Sequence, residues 1–235
     1  MITKKQKIFG VIRLLRPQFL LAYLIVASGG IVVGFKQGFE LTTESFAFYS
    51  YLPIIIAAMG VHLRDEAGDW ISGYDREYGG MGVIREGIFS VKTVRTWGIV
   101  LIGIGFVIGI LQAITYTIMF FIGIPMAIVI ILANYLTEEV PLGHEAITAS
   151  SYWGAFLWVY LAQKWPINLS VLLFSLFTYL MVLALVPYQD IGDYEVDLKR
   201  GKKTLVVRLG LDRTGFLCIL IGLLGWIVLY FALLT

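Results

Sequence analysis

Seven long apolar stretches, parted by short charged segments, set the terms for what this chain can fold into. They run at about Phe19–Phe35, Phe46–Leu63, Val91–Leu111, Tyr116–Leu136, Ala146–Ala162, Leu169–Tyr188 and Thr214–Leu234. Roughly 20 apolar residues in a helix cross a hydrocarbon layer about 30 Å thick. Backbone N–H and C=O groups in that layer find no water, so each stretch must satisfy them internally as a helix. The runs are also too long for buried strands. Charged residues make up only 14% of the chain and hydrophobic ones 59%, whereas a soluble domain is about a quarter charged. The expected fold is all-α: a polytopic membrane helix bundle of about seven transmembrane helices, forming one domain over residues 1–235. The basic segment ahead of Phe19 is followed by no short apolar core with a cleavage site, so the first stretch reads as an anchored span.

Lys and Arg set the orientation. With a cytoplasmic N-terminus, sixteen of the eighteen basic residues fall in inside segments, and only Lys36 and Lys164 fall outside. A net charge of +2 excludes a nucleic-acid partner, which would call for a distinctly basic chain. The single cysteine, Cys218, excludes an internal disulfide and a thiolate-rich metal site. No apolar stretch has an acid in its middle, which argues against a proton or ion relay. The last stretch has no lysine to form a Schiff base, so a retinal protein is excluded as well.

The polar chemistry is confined to two cytoplasmic segments, at about 64–90 and 189–213. The first carries Asp65, Glu66, Asp69 and Asp75, with Glu66 and Asp69 three apart on one helical face and a Ser72-Gly73 turn before Asp75. The second carries Asp190, Asp193 and Asp197, whose spacings of three and four put them on one stripe if the helix continues. Either segment alone has the composition of a solvated helix end. Together they gather like charges that repel unless a cation neutralises them. An oxygen-only donor set favours Mg²⁺, which takes one or two carboxylates and shares its remaining shell with water and phosphates. Lys199, Lys202, Lys203 and Arg208, besides their part in the inside charge, would meet phosphate oxygens. The residues point to a Mg²⁺–diphosphate site at the membrane surface, with a lipid-soluble tail among the helices.

Asp65 to Asp75 resembles the first signature of the UbiA superfamily of intramembrane prenyltransferases, N-D-x-x-D-x-x-x-G-x-D, with Asp for Asn and Glu for the first Asp. Asp193-Tyr-Glu-Val-Asp197-Leu-Lys-Arg-Gly201-Lys-Lys-Thr204-Leu-Val-Val-Arg-Leu-Gly210 closely resembles the second, D-x-x-x-D-x-K-x-G-K-x-T-L-x-x-R-L-G. Arg16-Pro17, and Gly79-Gly80-Met-Gly82-Val-Ile-x-x-Gly87, are similar to the branch that prenylates 1,4-dihydroxy-2-naphthoate. Members usually have nine spans, against seven here. The Tyr-Thr pair that commonly ends span four is Leu136-Thr137 in this chain, after Tyr135, and acidic Glu138 and Glu139 follow.

The resemblance implies a Mg²⁺-dependent, multi-pass prenyltransferase of quinone biosynthesis. It would move a prenyl group from a polyprenyl diphosphate, such as geranylgeranyl diphosphate, to an aromatic acceptor within the lipid bilayer. Glu66, Asp69, Asp75, Asp190, Asp193 and Asp197 would hold the metal, with Asp69, Asp193 and Asp197 the catalytic core. Lys199, Lys202, Lys203 and Arg208 would bind the diphosphate, Tyr135 would line the path of the allylic cation, and Glu145 of Gly143-His-Glu145 would border the acceptor. His62 and His144 read as satisfied interface histidines. The alternatives are a non-catalytic, degenerate scaffold that binds prenyl lipids, and a phospholipid-type phosphotransferase, whose D-G-x-x-A-R string the chain lacks.

Overall fold

The computed structural model describes residues 2–41, 44–78 and 80–235, with the side chains at 44–48, 78, 133–139 and 200 outside that description. Among these residues there is no strand. The helices are α1 (Lys4–Leu15), α2 (Pro17–Lys36), α3 (Glu44–Ser72), α4 (Tyr74–Tyr78), α5 (Val91–Thr115), α6 (Phe120–Glu139), α7 (Gly143–Ala162), α8 (Leu169–Gly192), α9 (Tyr194–Arg200), α10 (Leu205–Leu209) and α11 (Leu211–Leu234). The fold is all-helical, and the seven long helices lie on the seven apolar stretches. Among the described residues α2, α5, α8 and α11 are long and apolar enough to cross a membrane. Helices α3, α6 and α7 occupy the other three stretches and carry acids toward one end.

The two acidic segments are more helical than loops. Nothing interrupts α3 until Gly73, whose positive φ of 90° ends it, so Asp65, Glu66 and Asp69 extend the same rod as the apolar stretch. In the second segment α8 stops at Gly192, α9 ends at a left-handed Gly201, and Gly210 opens α11. Gly201 (φ 70°) and Gly210 (φ 78°) take these backbone angles without the steric cost of a Cβ.

The chain divides into two compact units, Met1–Ile25 with Phe48–Thr115, and Val26–Ala47 with Tyr116–Thr235. In the first, Leu14, Leu63, Ala67, Val83, Ile84, Ile88 and Val94 form a buried core, so α1, the end of α3, the following turns and α5 share one apolar centre. Helices α3 and α5 touch through glycine. A Cβ on Gly60 would lie 2.7 Å from the Gly98 carbonyl oxygen and 2.7 Å from the Ile102 nitrogen. Small residues allow such close approach in lipid, where packing rather than water drives helix association. Pro53 lies within α3 and has no N–H for the carbonyl of Tyr49, four residues back. The fully buried Gln112 of α5 donates its Nε2 hydrogen to that carbonyl at 2.7 Å.

In the second unit α7 is the central helix: every residue from Gly154 to Ala162 is buried. Gly30 of α2 lies against it, where a Cβ would approach the Phe156 carbonyl oxygen to 2.6 Å. Tyr160 donates its hydroxyl hydrogen to the Pro166 carbonyl at 2.8 Å, and Trp165 donates from Nε1 to the Glu40 carbonyl at 3.0 Å. These bonds satisfy polar groups at the end of α7 away from its acidic Glu145. Helix α11 is the least covered of the four apolar spans, with Phe216, Leu223, Ile227 and Phe231 all exposed. Such a surface suits hydrocarbon rather than water.

Candidate functional site: two acidic clusters

In the first unit the helical continuation of α3 carries Glu66 inward, to 1% exposure. The Arg16 guanidinium Nη2 lies 3.4 Å from its Oε2, and the Met81 backbone also hydrogen-bonds to it. Burial pushes the Glu66 carboxyl up, opposed by Arg16 and the Met81 N–H, with Asp69 adding to the rise. Asp75, on α4, is 4% exposed. Its carboxyl lies over Gly80 (φ 52°), where a Cβ would collide with it. Burial, then the charges of Glu66 and Asp69, push Asp75 up to about 6, against the pull of Arg16 and Arg85. Three carboxylates thus repel one another, with the Arg16 and Arg85 guanidinium groups relieving part of that repulsion.

A cation bound here should reveal itself through pH. The Asp75 carboxyl holds its proton more tightly folded (about 6) than its ordinary value of 3.8. Folded stability therefore falls as pH rises from about 4 to about 6, and a dication that neutralises the ionised cluster restores it. Mg²⁺ is expected to raise the melting midpoint by about 5 °C near pH 7.5 and by less than about 1 °C near pH 5. Equal shifts at the two pH values would place the ion elsewhere.

The second unit holds its acids differently. The expected single stripe of Asp190, Asp193 and Asp197 is not formed. Helix α8 ends at Gly192, and Asp193 leaves the helical region with φ −101° and ψ 4°. The break turns the three apart: Asp190 (7%) and Asp197 (1%) are buried, while Asp193 is exposed. The His144 Nε2 lies 3.4 Å from Asp190 Oδ1. The Lys202 ammonium lies 2.9 Å from Asp197 Oδ1, within ion-pair range but off the hydrogen-bond direction.

Glu145, expected at the acceptor, is fully buried, and its Oε1 accepts from the Leu205 N–H at 2.5 Å. It thereby caps the start of α10 and fixes the second signature against α7. The backbone of Leu142 donates to the Lys203 carbonyl at 3.4 Å and joins the same two segments. Lys199 and Arg208 are exposed, Lys203 is half-buried, and the Tyr135 side chain lies outside the description.

Among the described residues three buried carboxylate oxygens in this unit, Glu145 Oε2, Asp190 Oδ2 and Asp197 Oδ1, accept no hydrogen bond. Buried acceptors left this way are costly, and a hard cation is a fitting partner for them. Among the described residues no three His, Cys, Asp or Glu side chains converge as a ready-made metal cage. A Mg²⁺ ion that takes one or two carboxylates and completes its shell with water and phosphate does not require one. Sequence spacing left the pairing of Arg16 with Glu66 and of His144 with Asp190 unseen, because each crosses between helices far apart in the chain.

A sequence profile of the UbiA prenyltransferase family matches residues 74–235, which includes Asp75 and the whole second signature. Among solved structures the chain is similar to a UbiA homolog from Archaeoglobus fulgidus bound to GPP and Mg²⁺. The TM-score is 0.76 at 16% identity, covering 96% of this chain and 78% of that one. The homolog bound to DMAPP and Mg²⁺ gives a TM-score of 0.75 at 16% identity, with the same coverage. No curated protein sequence matches. The structural likeness shows the fold, and the profile match, over well more than half of the sequence, shows that this membrane protein belongs to the UbiA prenyltransferase family.

Proposed function

We propose that the chain is a Mg²⁺-dependent intramembrane prenyltransferase that moves a prenyl group from a polyprenyl diphosphate to an aromatic, quinone-precursor-like acceptor. The observation that carries this reading is the set of buried carboxylate oxygens on Asp190 and Asp197 that accept no hydrogen bond, with the Lys202 ammonium beside Asp197. Family membership supports it, and so do the Archaeoglobus fulgidus homologs bound to prenyl diphosphates and Mg²⁺.

Glu66, Asp69 and Asp75 in the first unit, and Asp190, Asp193 and Asp197 in the second, would hold Mg²⁺ ions, which when bound supply Lewis-acid neutralisation of the departing diphosphate. Lys199, Lys202, Lys203 and Arg208 grip the phosphate oxygens, and Arg16 holds Glu66 in place. Glu145 positions the Thr204-Leu205 segment, and Tyr135 would line the path of the allylic cation, which an aromatic ring can stabilise. The allylic C–O bond breaks and its electron pair leaves with diphosphate. A carbon of the acceptor bonds to the allylic carbon, and the acceptor then loses a proton. The asymmetry of Lys and Arg supports a cytoplasmic N-terminus and cytoplasmic acidic segments. Resemblance around Arg16-Pro17 and Gly79 to Gly87 favours a 1,4-dihydroxy-2-naphthoate-like acceptor, and residues 1–235 act as one catalytic domain.

The test uses purified protein in lipid nanodiscs with labelled geranylgeranyl diphosphate and a panel of aromatic acceptors. Diphosphate release and a prenylated product should both require Mg²⁺ and one of the acceptors. Donor binding with no turnover on any acceptor would instead identify a prenyl-lipid scaffold. Gly80→Ala gives a finer check, because its Cβ would displace the Asp75 carboxyl. About a hundredfold loss of kcat at normal expression is expected, and unchanged kcat would remove Asp75 from the site.

A further inference from the structure

Helix α1 has an apolar face that the protein does not cover. Gly10 and Leu14 are its buried residues, and they pack toward the core of the first unit. On the opposite side Ile8, Phe9 and Ile12 are 53%, 55% and 47% exposed. A helix against water would carry polar residues there. Twelve residues extend about 18 Å, too short to span hydrocarbon. The helix cannot simply lengthen into α2, because Arg16 between them is left-handed (φ 47°) and Pro17 begins the next helix.

The charge on α1 is of one sign. Lys4, Lys5 and Lys7 fill its first turn with no acid among them, and none has an acidic partner among the described residues. The Lys5 ammonium is 6.0 Å from the Phe9 ring centroid, so charge and apolar surface meet at one edge. A capping box fixes this end: Gln6 N–H donates to Thr3 Oγ1 at 3.2 Å, and Thr3 N–H donates to Gln6 Oε1 at 2.8 Å. The other end is tied by a two-pronged pair, with Arg13 Nη1 and Nη2 at 3.0 and 2.7 Å from the Glu86 oxygens.

We propose that α1 is an interfacial helix that lies in the membrane surface, sinks Ile8, Phe9 and Ile12 among the acyl chains, and binds anionic lipid headgroups through Lys4, Lys5 and Lys7. An exposed apolar face bordered by lysines is the pattern that favours such a surface, and each lysine near anionic lipid adds to the attraction. The proposal needs only that the chain is embedded in a bilayer, and it stands apart from the catalytic reading. Because Arg13 and Arg16 reach Glu86 and Glu66, the lipid-bound helix would also steady the first acidic cluster.

The test measures hydrogen exchange of the amides of residues 4–15 in the full chain, in nanodiscs of phosphatidylcholine alone and with about one third phosphatidylglycerol. Exchange should be about tenfold slower in the anionic discs, and about 0.5 M salt should remove the difference. A Lys4→Gln, Lys5→Gln, Lys7→Gln variant should show no such difference while its melting midpoint stays unchanged. Ile8→Ser with Ile12→Ser should speed exchange in both kinds of disc. Equal rates in the two discs for the natural chain would overturn the proposal. So would a slowing that survives in the triple variant, or protection that grows with protein concentration and marks a second copy as the cover.

Discussion

Asp197→Ala is expected to abolish prenyl transfer, by about a thousandfold or more in kcat, in a protein that still folds. Asp197 is buried with an oxygen that no hydrogen bond satisfies, so its removal relieves a desolvation cost as well as losing a contact. The Lys202 ammonium, 2.9 Å away, is partly exposed and can turn to water. Stability should therefore move by less than about 1 kcal/mol, while the donor loses the carboxylate that would hold its metal. Asp197→Asn sharpens the test, because it keeps the shape and removes only the charge. Purified variants compared for kcat and for melting midpoint separate the two effects. A loss smaller than about tenfold in both variants would remove Asp197 from the proposed metal site. Asp193→Ala, on an exposed carboxylate, should match it in activity with even less change in stability.

The second large effect is on folding. Gly60→Val should cost about 3 kcal/mol or more and leave little folded protein in the membrane. The added Cβ would meet the Gly98 carbonyl and the Ile102 nitrogen at 2.7 Å each, and both are backbone atoms that cannot step aside without separating α3 from α5. Gly98→Ala meets the reciprocal obstacle, the Gly60 carbonyl at 2.8 Å and the Arg64 nitrogen at 2.9 Å. Gly103 supplies the control on the same helix. Its Cβ would find nothing within 4 Å, so Gly103→Ala should be neutral or stabilise by up to about 1 kcal/mol. Detergent-extracted yield and thermal melting of the three variants distinguish interface crowding from a general intolerance of side chains.

The apolar stretches were legible in the sequence because hydrocarbon imposes a length and forbids unpaired backbone groups; long helices lie on those stretches, and among the described residues four of them are long and apolar enough to cross a membrane. The acidic segments were legible as places where charge gathers. Their internal geometry was not. The spacing of Asp190, Asp193 and Asp197 is helical, yet the chain leaves the helix at Asp193 (φ −101°, ψ 4°), and that carboxylate is exposed. Nothing in the neighbourhood of Glu145 announces that its partner is the Leu205 amide, since that bond depends on how α7 and α10 pack. The left-handed Arg16 likewise has no local signal, because the conformation is unusual for a residue with a Cβ.

The bond from Gln112 to the Tyr49 carbonyl has a consequence for how this sequence can change over generations. With Pro53 in α3, that carbonyl depends on a donor from α5, and Gln112→Leu would remove it in a low-dielectric interior at a cost of about 1–3 kcal/mol. If position 53 were first to become alanine, the restored N–H would serve the carbonyl, and position 112 could then vary more cheaply. The order of substitution therefore matters. Lineages that keep the proline should retain a donor at position 112, while those that have lost it should be free to drop the glutamine, so two residues on separate helices are inherited as a pair.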